Sequence, residues 1–194
     1  MDMALDAYDG AADETLLVLY GNGDPVAAQI LTGRLAPRVL GFATRLLGDR
    51  TEAEDVTQEA MLRLWKQAPN WRTGEAKLST WLYRVVSNLC TDRLRKKRTV
   101  DIDAIEEPKD DAPQVVEGMI AADRAKALEA ALMTLPERQR IAVTLRHLEG
   151  ATNPEIAEVL DISVEAVESL TARGKRALAA ALAGRREELG YGEN

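Results

Sequence analysis

The chain reads as all-α: two small helical domains joined by a flexible acidic linker. Three observations predict this. Ala, Leu, Glu and Arg abound, while the 194 residues hold only one Phe and four Tyr, a balance that favours helix over sheet. Apolar residues recur at three- and four-residue spacing over most of the chain, punctuated by turn signals that stop one helix and start the next. That pattern breaks once, over residues 99–118, where TVDIDAIEEPKDDAPQVVEG carries two prolines and no sustained apolar face, as linkers do. The resulting boundaries are a loose tail over 1–12, a first domain over 13–98, the linker over 99–118, a second domain over 119–186 and a tail over 187–194.

Each element follows from local signals. Asp13 is placed to cap a helix carrying Leu16, Leu17 and Leu19, which ends at Gly21-Asn22-Gly23-Asp24-Pro25. A second helix runs from Pro25 to Leu47, with Pro37 inside it as a candidate kink, and stops at Gly48-Asp49. Thr51 and Glu54 have capping-box spacing and open a third helix that reaches about Lys66. Val56, Ala60 and Leu64 give it an apolar face, beside an acidic and amide face of Glu54, Asp55, Gln58 and Glu59. Beyond a polar loop around residues 71–77, Ser79 or Thr80 opens a fourth helix ending at Arg98; Trp65 and Leu82 read as core. In the second domain, Ile120, Leu128, Ala131 and Leu132 point inward from a helix that breaks at Leu135-Pro136. The next starts at Glu137, carries Ile141, Val143, Leu145 and Leu148, and ends at Glu149-Gly150.

The stretch that follows, TNPEIAEVLDISVEAVESLTARGKR, is the most informative of all. Ile156, Val159, Leu160, Ile162, Val167 and Leu170 are spaced so that two short helices bury one seam. Thr152 and Glu155 form a capping box, and Pro154 is tolerated in the first turn. Asp161 sits at the sharp turn, where Asp tolerates a left-handed backbone, and Ser163 caps the second helix. That helix ends in Arg173, Lys175 and Arg176, cations suited to phosphates. This is a helix-turn-helix whose second helix suits a DNA major groove.

The net charge of −7 argues against a nucleic-acid binder until its distribution is read. Five of the six residues from Arg93 to Arg98 are basic, whereas Asp101 to Glu117 hold seven acids and one base. Basic faces under an acidic excess describe a protein that binds DNA weakly alone and needs a larger partner. One cysteine, Cys90, excludes an internal disulfide and a cysteine zinc site; one histidine, His147, excludes a His-rich metal or triad site. Both read as packing or surface residues, and no metal or cofactor is expected. Apolar runs fall far short of the ~20 residues that span a bilayer, and no basic leader is apparent. A cytoplasmic protein without membrane insertion is the expectation. The aromatics Trp71 and Trp81, interleaved with Arg72, Lys77 and Arg84, suit single-stranded DNA, where rings stack on bases and cations hold the backbone.

The run AEDVTQEAMLRLW, then STWLYRVVSNLCTDRLRKKR, then LPERQR and a helix-turn-helix ending ARGKRAL, resembles the extracytoplasmic-function (ECF) class of sigma-70 factors. The resemblance spans residues 13 to about 183, with the elements in family order. It implies a sigma region 2 helical bundle and a sigma region 4 helix-turn-helix domain. The function implied is a transcription initiation factor, not an enzyme, with no small-molecule substrate. Its partners would be core RNA polymerase (β′ clamp helices and β subunit), promoter DNA and an anti-sigma factor. Glu54, Asp55, Gln58, Glu59 and Leu62 would dock on the clamp helices. The loop from Trp71 would receive flipped bases of the −10 element, with Arg72, Lys77, Trp81, Arg84, Asn88, Arg93, Arg95 and Lys96 around the strand. In the −35 major groove would lie Ser163, Glu165, Ala166, Glu168, Ser169 and Thr171, with Arg173, Lys175 and Arg176 behind them. Many members have Lys and Arg where this chain has Glu168 and Leu170; a Glu accepts from cytosine N4, so a changed promoter preference is as plausible as weaker binding. Gly174, mid-helix, has no explanation in the sequence. The competing reading is a helix-turn-helix regulator that binds an operator as a dimer without polymerase.

Overall fold

A computed structural model describes residues 8, 10–72, 74, 77–100 and 116–183, and of 100 and 116–123 the backbone only. The expected linker falls mostly on residues 101–115, outside the described residues, as do 1–7 and 9 of the first tail, 184–186 at the end of the second domain and the whole tail 187–194. The first domain comprises α1 (Asp13–Gly21), α2 (Pro25–Leu47), α3 (Arg50–Gln67), a 3-10 turn (Ala68–Asn70) and α4 (Leu78–Val100). The second comprises α5 (Val116–Met133), α6 (Glu137–His147), α7 (Asn153–Leu160) and α8 (Val164–Ala183). Among the described residues there is no strand.

Helix starts follow the chemistry of orphan N–H groups, and three differ from the sequence reading. Asp13 lies inside α1 rather than capping it; its carboxylate meets Arg34 at 3.1 Å instead. Asp24 caps α2, accepting from Val26 N at 2.9 Å. Asp49, not Thr51, caps α3 by accepting from Glu52 N at 3.1 Å, which leaves Glu54 to pair with Arg50. The chain reaches Asp49 through Gly48, whose φ of 67° is left-handed and suits glycine. α4 starts at Leu78, before Ser79 and Thr80, because Glu14 of α1 accepts from Leu78 N at 3.0 Å. The tail is tied down from Tyr8 onward: its hydroxyl bonds Asp24, and Arg34 donates to Ala11 O at 2.6 Å.

Packing gives the first domain one core. Leu16 and Leu17 of α1, Leu31, Leu35, Val39, Phe42 and Leu46 of α2, Val56, Ala60 and Leu64 of α3, and Leu82 and Val86 of α4 are all buried. Each fully buried leucine contributes roughly 1.5–3 kcal/mol. Phe42 meets Tyr83 edge-on at 4.9 Å, and Tyr20 meets Trp65 at 4.9 Å.

In the second domain, α6 is buried from Arg140 through Leu145, as expected of a helix covered on all sides. One side, with Val143, faces Leu132 and Leu135. Gly174 of α8 lies against it so closely that a Cβ there would sit 2.5 Å from Val143 Cγ2, which explains the glycine. Another side, with Ile141, Ala142 and Leu145, joins the core of the first domain. Leu148 lies just past the end of α6 at His147 and is 40% exposed. The two domains therefore share an apolar seam in addition to their tether.

Candidate nucleic-acid interface

The acidic and amide face of α3 lies opposite its buried Val56, Ala60 and Leu64. Glu54, Asp55, Gln58 and Leu62 are exposed and Glu59 half-buried. Between α3 and α4 runs a groove of about 450 Å³, lined by Asp55, Gln58, Glu59, Leu62 and Arg63 on one wall and Leu89, Asp92, Arg93 and Lys96 on the other. Leu62, 48% exposed, stands at its lip. Along the groove Arg63 pairs with Glu59 at 2.8 Å, and Arg93 with Glu52 and, at 3.4 Å, Asp55. Exposed pairs of this kind contribute only tenths of a kcal/mol and exchange readily for an incoming partner.

The residues assigned from sequence to the −10 strand do not all share one surface. Trp71 and Trp81 meet edge-to-face with ring centres 6.0 Å apart, both half-buried against the first-domain core. Trp71 Nε1 is buried and lacks a partner among the described residues. Lys77 is exposed and pairs with Glu155 of α7 at 2.7 Å. Arg72 is exposed in the loop. Arg84, Asn88 and Arg95 are exposed on α4, in an i, i+4, i+11 row that includes Asp92, which pairs with Arg95 at 2.9 Å. Arg93 and Lys96, by contrast, line the α3–α4 groove with the acidic face. The sequence missed Glu52, the acid that claims Arg93; only tertiary packing brings α3 and α4 side by side.

The helix-turn-helix has the local chemistry that its sequence predicts. Thr152 and Glu155 form both halves of the capping box, Asp161 has a φ of 53° and a ψ of 55°, and Ser163 Oγ accepts from Ala166 N at 3.2 Å. Glu155 is pulled down to about 2 by Lys77 first and then by Thr152. Ser163, just before α8, and Glu165, Glu168, Ser169, Arg173, Lys175 and Arg176 on it are exposed, whereas Ala166 and Thr171 are half-buried. Ile156, Val159 and Val167 are buried in the seam behind them. Hydrogen bonds from its own backbone and Ser163 hold the Glu165 carboxyl below the usual range, at the helix N-terminus. His147 is exposed. Cys90 is buried, and burial pushes its thiol up to about 12, a state unsuited to nucleophilic or redox work. Among the described residues no group of three or more His, Cys, Asp or Glu is placed to hold a metal ion.

The α3–α4 groove and the helix-turn-helix, with cations exposed on α4 and α8, are the features that the comparisons with known proteins bear on. The family model for Sigma-70 region 2 matches residues 31–100, and that for Sigma-70, region 4 matches residues 125–178. The RNA polymerase sigma-H factor of Pseudomonas aeruginosa is 30% identical over 181 residues, covering 88% of this chain and 93% of the relative. The ECF RNA polymerase sigma factor SigM of Mycobacterium tuberculosis is 31% identical over 168 residues, 87% of this chain and 83% of SigM. Two solved structures share the fold. The sigma factor RpoE of Bartonella quintana, crystallised with the anti-sigma factor NepR, has a TM-score of 0.66 at 21% identity over 79% of this chain and 95% of that one. CnrH, in complex with the cytosolic domain of CnrY, has a TM-score of 0.64 at 24% identity over 89% of this chain and 97% of that one. The chain belongs to the ECF class of the sigma-70 family. It is an alternative sigma factor that binds core RNA polymerase and directs it to promoters, which decides against the dimeric regulator.

Proposed function

We propose that the α3–α4 groove is where the chain docks on core polymerase, with Glu54, Asp55, Gln58, Glu59 and Leu62 meeting the β′ clamp helices and the second domain meeting the β subunit. The observation that carries this is Leu62, a half-exposed leucine among acids, fixed on a helix whose other face is fully buried. An apolar anchor ringed by charge is how docking hot spots are built. The loop from Trp71 and the exposed row Arg84, Asn88 and Arg95 take the −10 strand. Melting then needs no covalent step: holding flipped bases biases an opening equilibrium that costs a few kcal/mol. The outward face of α8 reads the −35 element, with Glu168 positioned among its base-reading residues. The protein is not an enzyme and works in the cytoplasm. RpoE and CnrH each have a solved structure in complex with a partner, an anti-sigma factor for RpoE, and an anti-sigma partner is proposed for this chain on that likeness.

The test is capture of purified core polymerase by the full chain. Asp55→Lys with Glu59→Lys reverses the groove's acidic wall without touching a buried residue. Capture is expected to fall about tenfold or more, the equivalent of ~1.4 kcal/mol, with helix content unchanged. Undiminished capture by this variant would remove the groove assignment.

A further inference from the structure

The exposed charges of α8 are sorted by sign along the helix. Glu165 and Glu168 stand in its first turn and a half, and Arg173, Lys175 and Arg176 in its third and fourth turns. In a helix-turn-helix the N-terminal residues of the second helix contact base edges. The acids are therefore at the reading end, with the cations behind them to meet phosphates. The two acids are not equivalent. Glu165 is engaged locally: its carboxyl accepts from its own backbone N–H and from the Ser163 hydroxyl, whose oxygen accepts from Ala166 N at 3.2 Å. Glu168 is exposed and has no partner among the described residues. Its helical neighbours three and four residues away are Val164, Glu165, Thr171 and Ala172, so no cation of α8 lies within pairing reach. Leu170 packs inward against the core. Lys175 shares the face of Glu168 but lies two turns on, about 10 Å along the axis.

An unpaired carboxylate carried into a DNA groove is repelled by the phosphates and gains only from a hydrogen-bond donor, because in its ionised form it accepts and cannot donate. On the major-groove edge guanine presents two acceptors, and thymine an acceptor and a methyl group. Adenine sets its N7 acceptor directly beside its N6 donor. Cytosine offers a donor, N4, with no acceptor of its own next to it. We infer that Glu168 is a specificity-determining residue, whose carboxylate accepts from cytosine N4 at one position of the −35 element and disfavours the other three bases there. The inference rests on assigning the outward face of α8 to that element. Much of the selectivity is rejection, since the charge that favours cytosine weakens contact with every other base. Arg173, Lys175 and Arg176 provide the sequence-independent attraction that holds the acid in the groove.

The experiment uses the full chain assembled with purified core polymerase. Promoter duplexes randomised over the −35 region, with the rest of the promoter fixed, are bound, recovered and sequenced. The wild-type holoenzyme is expected to show one position where cytosine is preferred about tenfold over each other base. Glu168→Gln keeps the size of the side chain and removes its charge, and glutamine bonds adenine N6 and N7 together. At that position the preference is expected to move from cytosine to adenine, while the remaining positions keep theirs. Binding to duplexes without the cytosine is expected to rise, a gain that loss of a purely structural residue would not give. Glu168→Ala is expected to erase the preference at that position and to raise the same non-cognate binding. Identical base preferences in the wild type and both variants, with other positions still selected, would overturn the inference and leave the assignment of α8 standing. A wild-type holoenzyme with no base preference anywhere in the −35 region would sink that assignment and the inference with it.

Discussion

Tyr83 and Glu149, 66 residues apart, meet at 2.6 Å: the phenol donates to Glu149 Oε2 while its ring packs edge-on against Phe42. One side chain thus belongs to the first-domain core and to the seam. Burial first, then Glu149, pushes the Tyr83 hydroxyl well above its usual range, so the donor proton stays in place at any working pH. Tyr83→Phe keeps the ring and deletes the donor. Hydrogen bonds to charged groups contribute roughly 1.5–3 kcal/mol, so denaturant unfolding is expected to show a loss of about 2 kcal/mol. An unchanged midpoint would mean that the hydroxyl adds nothing.

The Lys77–Glu155 pair sets a pH window. Glu155 sits at about 2 when folded, below its unfolded value near ~4.3. Its contribution is complete above that unfolded value and disappears as pH falls toward 2. Lys77 is raised above its usual value, chiefly by Glu155 and slightly by Glu14, so its contribution holds at neutral pH and is lost only on the alkaline side. Stability is therefore expected to fall between about pH 4.5 and 2 less steeply in Glu155→Gln than in the wild type. Parallel curves for the two proteins would contradict this.

Gly174 tests the α6–α8 contact. Replacing glycine by alanine inside a helix ordinarily gains about 1 kcal/mol. Here the new methyl group would press on Val143 Cγ2 at 2.5 Å and approach Gln139 O at 3.3 Å, and valine has little rotamer freedom to yield. Overpacking costs about 1–3 kcal/mol, so Gly174→Ala is expected to destabilise by about 1 kcal/mol net. A more stable variant would show that α6 and α8 separate easily.

Most of the helices were legible because caps and stops are local. Thr152, Glu155, Asp161 and Ser163 carry their geometry in four neighbouring side chains, and the structure has that geometry. Competition between caps was harder to read: Asp49 and Thr51 are both good N-caps, and only the left-handed Gly48 before Asp49 settles the choice. Gly174 was unreadable because its cause, Val143, lies 31 residues away. The split of the basic run was likewise hidden. Arg93 turns to Glu52 and Asp55 of α3 while Arg95 faces outward, a distinction made by helix pairing. The seam was missed altogether, since Tyr83, Arg45, Glu137 and Glu149 each look like ordinary surface or core residues until two domains meet.

Arg173 is exposed on α8, its Nε donating to Ser169 O at 3.3 Å. Arg173→Ala in the polymerase-bound protein is expected to weaken promoter binding and to reduce the slope of log affinity against log salt by about 1, the mark of one phosphate contact. A weakened complex with the original slope would assign Arg173 to base reading instead.

Run-off transcription tests the central claim most directly. Purified core polymerase is given genomic promoter fragments with and without the full chain, and the 5′ ends of the transcripts are mapped. Initiation from a defined set of sites only when the chain is present is the expected result, with those sites falling silent for Asp55→Lys combined with Glu59→Lys. Identical transcripts with and without the chain would contradict the account.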